Sequence, residues 1–259
     1  MSHTVRARRR FISALALGLV APGLARAAGA AGSEGDDPAR QIVARADEIR
    51  FPRESFVTDI TVTNFSDGEA GEQRKFRILS RGTENTIVLT LEPASERGQA
   101  LLMRGRDLWV FIPSVSQPVR LSLSQRLTGQ VANGDLARAN FAGDYNPSLV
   151  GIETLAGESA HVLDLAAADR GVTYARVKYW VAEKNGRPLQ AEFYALSGRL
   201  LKTARYEEFR EIGGRVRPTR LVMEDALKKG EVSVLKYEDM TLRDLPERMF
   251  TREYLRRLE

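Results

Sequence analysis

From Gly157 to Leu242 the chain reads as strand after strand, each closed by a tight turn and followed at once by the next. Gly157-Glu158-Ser159 turns into Ala160–Ala166, and Val172–Glu183 follows as a long strand. Asn185-Gly186 is a two-residue hairpin signal, because both residues tolerate the positive φ such a turn demands. Leu189–Tyr194 pairs back, Ser197-Gly198 leads into Leu200–Phe209, Gly213-Gly214 into Val216–Glu224, and Lys229-Gly230 into Val232–Leu242. Hairpins in direct succession leave no space for crossover helices, which argues for an antiparallel sheet and against a parallel α/β fold.

The N-terminal half carries the same period. Phe56, Ile60 and Val62 share one side of a strand with Asp59 on the other. Phe76 and Ile78 alternate with Lys75 and Arg77, and Ile87, Leu89 and Leu91 form the next strand before Pro93. Leu101–Met103 turns through Arg104–Asp107 into Leu108–Ile112, Pro113 ends that run, and Val119–Leu123 is a third strand. The pattern then weakens into small and polar residues with Gly129, Gly134 and Gly143, a segment suited to covering something. Helix chemistry appears at Pro38–Ile49, where Asp37 can cap, Pro38 fits the first turn, and Ile42, Val43, Ala46 and Ile49 share a face. Leu245-Pro246 and Phe250–Leu258 suggest a short terminal helix. About ten or eleven antiparallel strands would curl and acquire a concave face if built as one sheet, while the period-two alternation fits a β-sandwich equally well.

The first residues stand apart. Arg6, Arg8, Arg9 and Arg10 precede an apolar run, Phe11–Val20, and Ala25-Arg26-Ala27 is a small-x-small cleavage site, so residues 1–27 read as a secretory signal. Arg8-Arg9-Arg10-Phe11-Ile12 also fits a twin-arginine pattern, which leaves the export route open. Residues 28–37 read as a flexible leader and 38–259 as one domain. The signal holds five arginines and no lysine or acid, so removing it takes the formal charge from +5 to zero. No nucleic-acid footprint then remains. The chain has no cysteine, which excludes disulfides, thiolate metal sites and cysteine nucleophiles.

Catalytic sets are sparse. His161 is the one histidine after the signal, on a strand, and no G-x-S-x-G turn accompanies it. Asp135 and Asp144 could serve as paired carboxylates of a hydrolase, or as a helix cap and a turn former. Tyr174, Arg176, Lys178 and Trp180 line one side of a strand as a solvated face, with Val177, Tyr179 and Val181 inward. What remains is apolar surface: Ile87, Leu89, Leu91, Leu101, Met103, Trp109, Phe111, Tyr179, Leu221 and Met223, expected to point inward as core or as lining for an acyl chain. Such a chain gains ~0.8 kcal/mol per methylene removed from water and needs no directional chemistry. Arg120 and Arg126 are candidates for a lipid phosphate or for carboxylates of a lid. No cofactor or metal is expected.

Trp109 before Pro113, Arg120-Leu121-Ser122, Gly129-Gln130, Gly134-Asp135-Leu136, Asn140-Phe141 and Asp144-Tyr145 together resemble the LolA-like outer membrane lipoprotein-sorting proteins. The likeness runs on through Tyr179-Trp180-Val181, Pro188, Phe193-Tyr194, Ser197-Gly198, Lys202, Arg217-Pro218, Phe250-Thr251 and Leu255, from about Ala39 to Leu258. It implies a strongly curved, unclosed β-barrel with helices across its mouth. It also implies a monomeric periplasmic carrier or chaperone for a lipidated protein or lipid, with an inner-membrane transporter and an outer-membrane acceptor as partners. An envelope sensor or transporter-associated module of the same fold, and a hydrolase using Asp135 and Asp144, are the alternatives. Mass spectrometry of the chain recovered from the periplasm should find an N-terminus at Ala28; an intact Met1 would contradict the signal.

Overall fold

The computed structural model describes residues 37–255 apart from 116 and 139. The expected signal, nearly all of the expected leader, and residues 256–258 of the expected terminal helix lie outside the described residues. Helix α1 (Pro38–Arg50) starts where Asp37 accepts a hydrogen bond from the Ala39 N–H at 3.0 Å, with Pro38 in the first turn. The chain then makes β1 (Phe56–Ser66), β2 (Glu69–Arg81), β3 (Asn85–Glu92), β4 (Ala100–Arg104), β5 (Asp107–Phe111) and β6 (Val119–Leu121). A small hairpin, β7 (Arg126–Thr128) and β8 (Val131–Ala132), leads to α2 (Asn133–Ala137) and α3 (Phe141–Asp144). The meander resumes as β9 (Tyr145–Leu155), β10 (Glu158–Ala167), β11 (Arg176–Ala182), β12 (Pro188–Tyr194), β13 (Leu200–Ile212), β14 (Arg215–Asp225) and β15 (Val232–Leu242), and α4 (Arg252–Leu255) closes it.

All strands but β7 and β8 form one antiparallel sheet in the order β6-β5-β4-β3-β2-β1-β15-β14-β13-β12-β11-β10-β9. The chain thus walks outward from β1 to one edge at β6, crosses to the other edge at β9, and walks back until β15 pairs with β1. The segment between Ser122 and Asp144 is that crossing. At ~4.8 Å per strand, β4 and β13, six places apart in the order, would stand about 29 Å apart in a flat sheet. Yet Asp135 binds Lys202 on β13, 2.6 Å away, while Arg138 donates to the Gly105 carbonyl in the β4–β5 turn at 2.6 Å. The sheet is therefore strongly curved, as expected, and the crossover runs through its hollow side.

The main sheet has thirteen strands among the described residues, more than the ten or eleven expected. Twelve of the thirteen coincide with runs named in the sequence, so ten or eleven was low even for those, and the strand with no run is β9. It is a sheet edge whose residues are mostly exposed, so no apolar alternation marks it in the sequence. The long strand read at Val172–Glu183 begins only at Arg176; Tyr174 lies before it and is buried in the main core instead of on a solvated face. The third strand read at Val119–Leu123 stops at Leu121, and the described terminal helix covers only Arg252–Leu255.

The crossover is seated by close backbone approach. Gly129, at φ +47°, leaves no space for a side chain: an added Cβ would sit 2.0 Å from Asn64 Oδ1. Beside it the Gln130 N–H donates to Ser233 Oγ at 2.8 Å, and Ser233 donates to Asn64 Oδ1 at 2.7 Å. Gly129→Ala should lower stability in urea denaturation by about 2–4 kcal/mol, from left-handed strain and overpacking. Gly151→Ala, where nothing lies within 4 Å, should change it by less than about 0.5 kcal/mol.

Candidate functional site

Cross-strand partners share a face of a sheet, and this decides what the hollow side presents. Ile78, Val88, Leu101 and Val110 are successive partners across β2 to β5 and belong to the main inner core. Their neighbours Leu79, Ile87, Leu102 and Trp109 are partners too, and face the opposite side. There the C-terminal segment covers them with Leu245, Phe250 and Leu255.

The inner face is filled unevenly. Over β11–β13, Tyr179, Phe193 and Tyr206 pack with Phe141 and Tyr174 into an aromatic block. Among the described residues, two hollows lie in tandem along the strands, one over β1–β3 and one over β2–β6. One, of about 340 Å³, lies between α1 and the crossover, with Phe56, Ile78 and Leu136 among its walls and Asp47, Arg53 and Asn140 among its polar lining. The other, of about 290 Å³, is lined by Phe76, Val88, Leu101, Val110, Leu121 and Leu127, with Arg74 and Arg126 also contributing. Small-ligand pockets run from about 300 to 1,000 Å³, so each sits near the lower limit. The α2 residues Leu136 and Ala137 line the first hollow and Asn133 the second.

The roof is held by buried charge. Asp135 accepts from Lys202 Nζ at 2.6 Å, from the Tyr174 hydroxyl at 2.8 Å and from the Ala132 N–H at 2.7 Å. Burial lowers the Lys202 pKa, and Asp135 opposes that shift. Asp144 accepts from Arg138 Nη2 at 2.7 Å and from Arg106 Nε at 3.3 Å. These are the two carboxylates that hydrolysis would have needed, and both serve to fasten the crossover. On α1, Asp47 accepts from the Ala142 N–H at 2.9 Å, and Arg50 lies 3.3 Å from Asp47 and 4.2 Å above the Phe141 ring. Arg217, on β14, donates to the Ile49 carbonyl at 3.1 Å and also to that of Glu48, closing the C-terminal end of α1.

The sequence-derived set divides. Leu101 lines the second hollow, as does Arg126. Met103, Tyr179, Leu221 and Met223 lie in the inner core but line neither hollow. Ile87, Leu89, Trp109 and Phe111 do not point inward; they belong to the outer cluster, and Leu91 is half-buried in neither. Alternation sorts residues within a strand but leaves open how consecutive strands are phased, and the loop between β3 and β4 hides that phase. Arg120 is exposed and pairs with Asp107. Phe76, Val88, Val110, Leu121 and Leu127 were missed as lining, although the partner ladder through Ile78 and Leu101 would have found the first three. His161 is half-buried on β10 and its Nδ1 has no hydrogen-bond partner among the described residues.

Burial pushes the Asp47 carboxyl up from 3.8 to about 6, against the pull of Arg50 and the Ala142 N–H. A raised carboxyl pKa means that the folded state holds the proton more tightly. Asp47 therefore contributes its full stability below about pH 4 and loses it as pH rises through about 6. The stability of the native chain relative to Asp47→Asn should fall between pH 4 and 7, by on the order of 3 kcal/mol. A difference that is flat across that range in parallel urea titrations would contradict the assignment.

A family model whose description reads "Uncharacterized protein" matches residues 82–257. No curated protein sequence matches the chain. Among solved structures, a LolA superfamily protein from Nitrosomonas europaea is 60% identical, with a TM-score of 0.80 over 83% of this chain and 98% of that one. A DUF1329 family protein from Desulfovibrio piger is 19% identical, with a TM-score of 0.72 over 84% of this chain and 97% of that one. A domain from Vibrio parahaemolyticus named for outer membrane lipoprotein sorting gives the same identity, 19%, and TM-score, 0.72, over 84% and 98%. At that identity the last two speak to the fold alone.

Proposed function

Because the chain belongs to the LolA superfamily, we propose that it is a periplasmic carrier or chaperone for the acyl chain of a lipidated protein or another lipid. The chain would lie in the hollows along β1–β6, beneath the crossover. The observation that carries this reading is the unfilled, largely apolar floor of the second hollow, formed by Phe76, Val88, Leu101 and Val110 while the facing half of the same interior is packed with aromatics. Apolar burial alone supplies the affinity, since a chain of many methylenes gains ~0.8 kcal/mol from each. Arg126, exposed and lining the same hollow, is the proposed contact for an anionic head group. The periplasm as compartment rests on the signal read in residues 1–27, and a membrane transporter and an outer-membrane acceptor are the proposed donor and recipient.

A second reading, a partner module that works through protein contacts, is supported by β9. Among the described residues that edge strand pairs only with β10, and it exposes Leu149, Val150 and Ile152. Recovery of a stable protein complex free of lipid would favour it. The two readings part on a binding experiment. Delipidated protein should bind a fluorescent fatty acyl probe saturably, and Leu121→Glu, at the half-buried rim of the second hollow, should weaken binding at least ~10-fold, or ~1.4 kcal/mol. Trp109→Ser, on the outer face, should leave it unchanged. No saturable binding, or loss through Trp109 and not Leu121, would remove the carrier reading.

A further inference from the structure

Two neighbouring hairpin turns at one end of the sheet each present an exposed leucine. Leu196, in the β12–β13 turn, is 91% exposed, and Leu227, in the β14–β15 turn, is 60% exposed. Neither is floppy by construction. The Ala195 N–H donates to the Arg199 carbonyl and the Gly198 N–H to the Ala195 carbonyl, each at 2.9 Å. Asp225 Oδ1 accepts from the N–H groups of Leu227 at 2.7 Å and Lys228 at 3.0 Å, which fixes the second turn. The two turns are linked, because the Ala226 N–H donates to the Leu201 carbonyl at 3.0 Å. Exposed cations follow each leucine: Arg199 in the first turn, Lys228 and Lys229 in the second. None of the three has an ion-pair partner among the described residues. By contrast, the outer face of β1, β2 and β13–β15 pairs its charges closely, as in Arg77 with Asp59, Lys75 with Glu238 and Arg205 with Glu224.

We propose that these two tips are a docking surface for an anionic lipid bilayer, with Leu196 and Leu227 entering the interfacial region and the three cations meeting lipid phosphates. Apolar tips supply partition and flanking cations supply attraction, the combination by which peripheral proteins hold an anionic surface. The attraction is local, since the chain after residue 27 has no formal net charge. The acids at the base of the second turn are engaged within the protein: Asp225 accepts from the turn amides, and Glu231 accepts from the Ser66 hydroxyl at 2.9 Å. The neighbouring β1–β2 turn carries exposed Asp67 and Glu69. It meets the β14–β15 turn where the Asp67 N–H donates to the Gly230 carbonyl, 3.1 Å away, and it confines the contact to the two leucine tips. The second hollow lies toward this same end, since its β2 lining, Arg74 and Phe76, is nearer the β1–β2 turn than the first hollow's Ile78 and Ser80.

Docking does not depend on the hollows, so acyl-probe binding and membrane binding can fail separately. The test is co-sedimentation of the chain from residue 28 onward with sucrose-loaded vesicles of phosphatidylethanolamine and phosphatidylglycerol. Zwitterionic phosphatidylcholine vesicles form the second arm. Binding to the anionic vesicles is expected, with at least a fivefold loss on phosphatidylcholine and in 1 M salt, where the screening length falls to about 3 Å. Leu196→Ser with Leu227→Ser, and separately Lys228→Glu with Lys229→Glu, should each lower the bound fraction at least fivefold. These turn residues are exposed, so circular dichroism should be unchanged. Leu149→Ser, on the β9 edge, should bind like the native chain. No sedimentation with protein-free vesicles, equal binding by the tip variants, or a matching loss in Leu149→Ser would each overturn the proposal.

Discussion

The structure depends on one connection. A meander that begins in the middle of a sheet and runs to one edge must return its chain to the other edge before it can finish, and here that return is made across the hollow face. Everything about Ser122–Asp144 follows from this. The segment must be narrow enough to fit inside the curve, so it uses a two-strand hairpin and two helices of about one turn. It must also hold its polar backbone away from apolar floor, so it brings charged partners with it. Lys202–Asp135 and Arg138–Asp144 are each buried on both sides. Buried pairs add little net stability compared with a well-packed apolar core, but losing one partner strands a charge and costs several kcal/mol. They therefore specify where the crossover sits more than how tightly it is held.

That distinction bears on function. Helix α1 is joined to the same roof through Asp47 and the Ala142 N–H, and through Arg40, which donates to the carbonyls of Ala142 and Tyr145. The cover over the hollows thus combines these directional contacts with apolar packing, since Val43 and Ala46 of α1 and Leu136, Ala137 and Phe141 of the crossover share the main buried cluster. On the aromatic side, Phe141 and Tyr145 are keyed into the core. On the β2–β6 side the roof rests on cavities. An elongated apolar guest would therefore enter where the interior is least filled, with the aromatic block as a fixed wall.

The sequence disclosed the antiparallel class, the first helix with its cap, and most turns, because these depend on local period and on glycine or proline at defined places. Assigning faces needed more. The alternation in Ile87-Val88-Leu89 is plain, yet which member faces inward depends on pairing with Leu101–Met103 across a loop of undetermined phase. Strand β9 has no buried stripe and so carried no signal. Asp47 and Arg50 were invisible as interior residues, since a charged pair on a helix is ordinarily placed in solvent. Several residues that carried the family resemblance prove to be the ones that seat the crossover: Gly129-Gln130 against Ser233, Asp135 with Lys202, Asp144 with Arg138, and Tyr145, whose hydroxyl accepts from the Tyr174 N–H at 3.3 Å. Arg217 plays the corresponding part for α1. The motif thus marks how the hollow is roofed, and the lining itself is written in ordinary valines and leucines.

The measurement that reaches the central claim most directly is amide hydrogen exchange, followed by mass spectrometry, with and without a bound fatty acyl ligand. If the crossover roofs the acyl site, protection should change in peptides spanning Ser122–Asp144 and in β2–β4, while the C-terminal segment over Trp109 stays as it was. Changes confined to the C-terminal segment, or none anywhere at saturating ligand, would contradict the account.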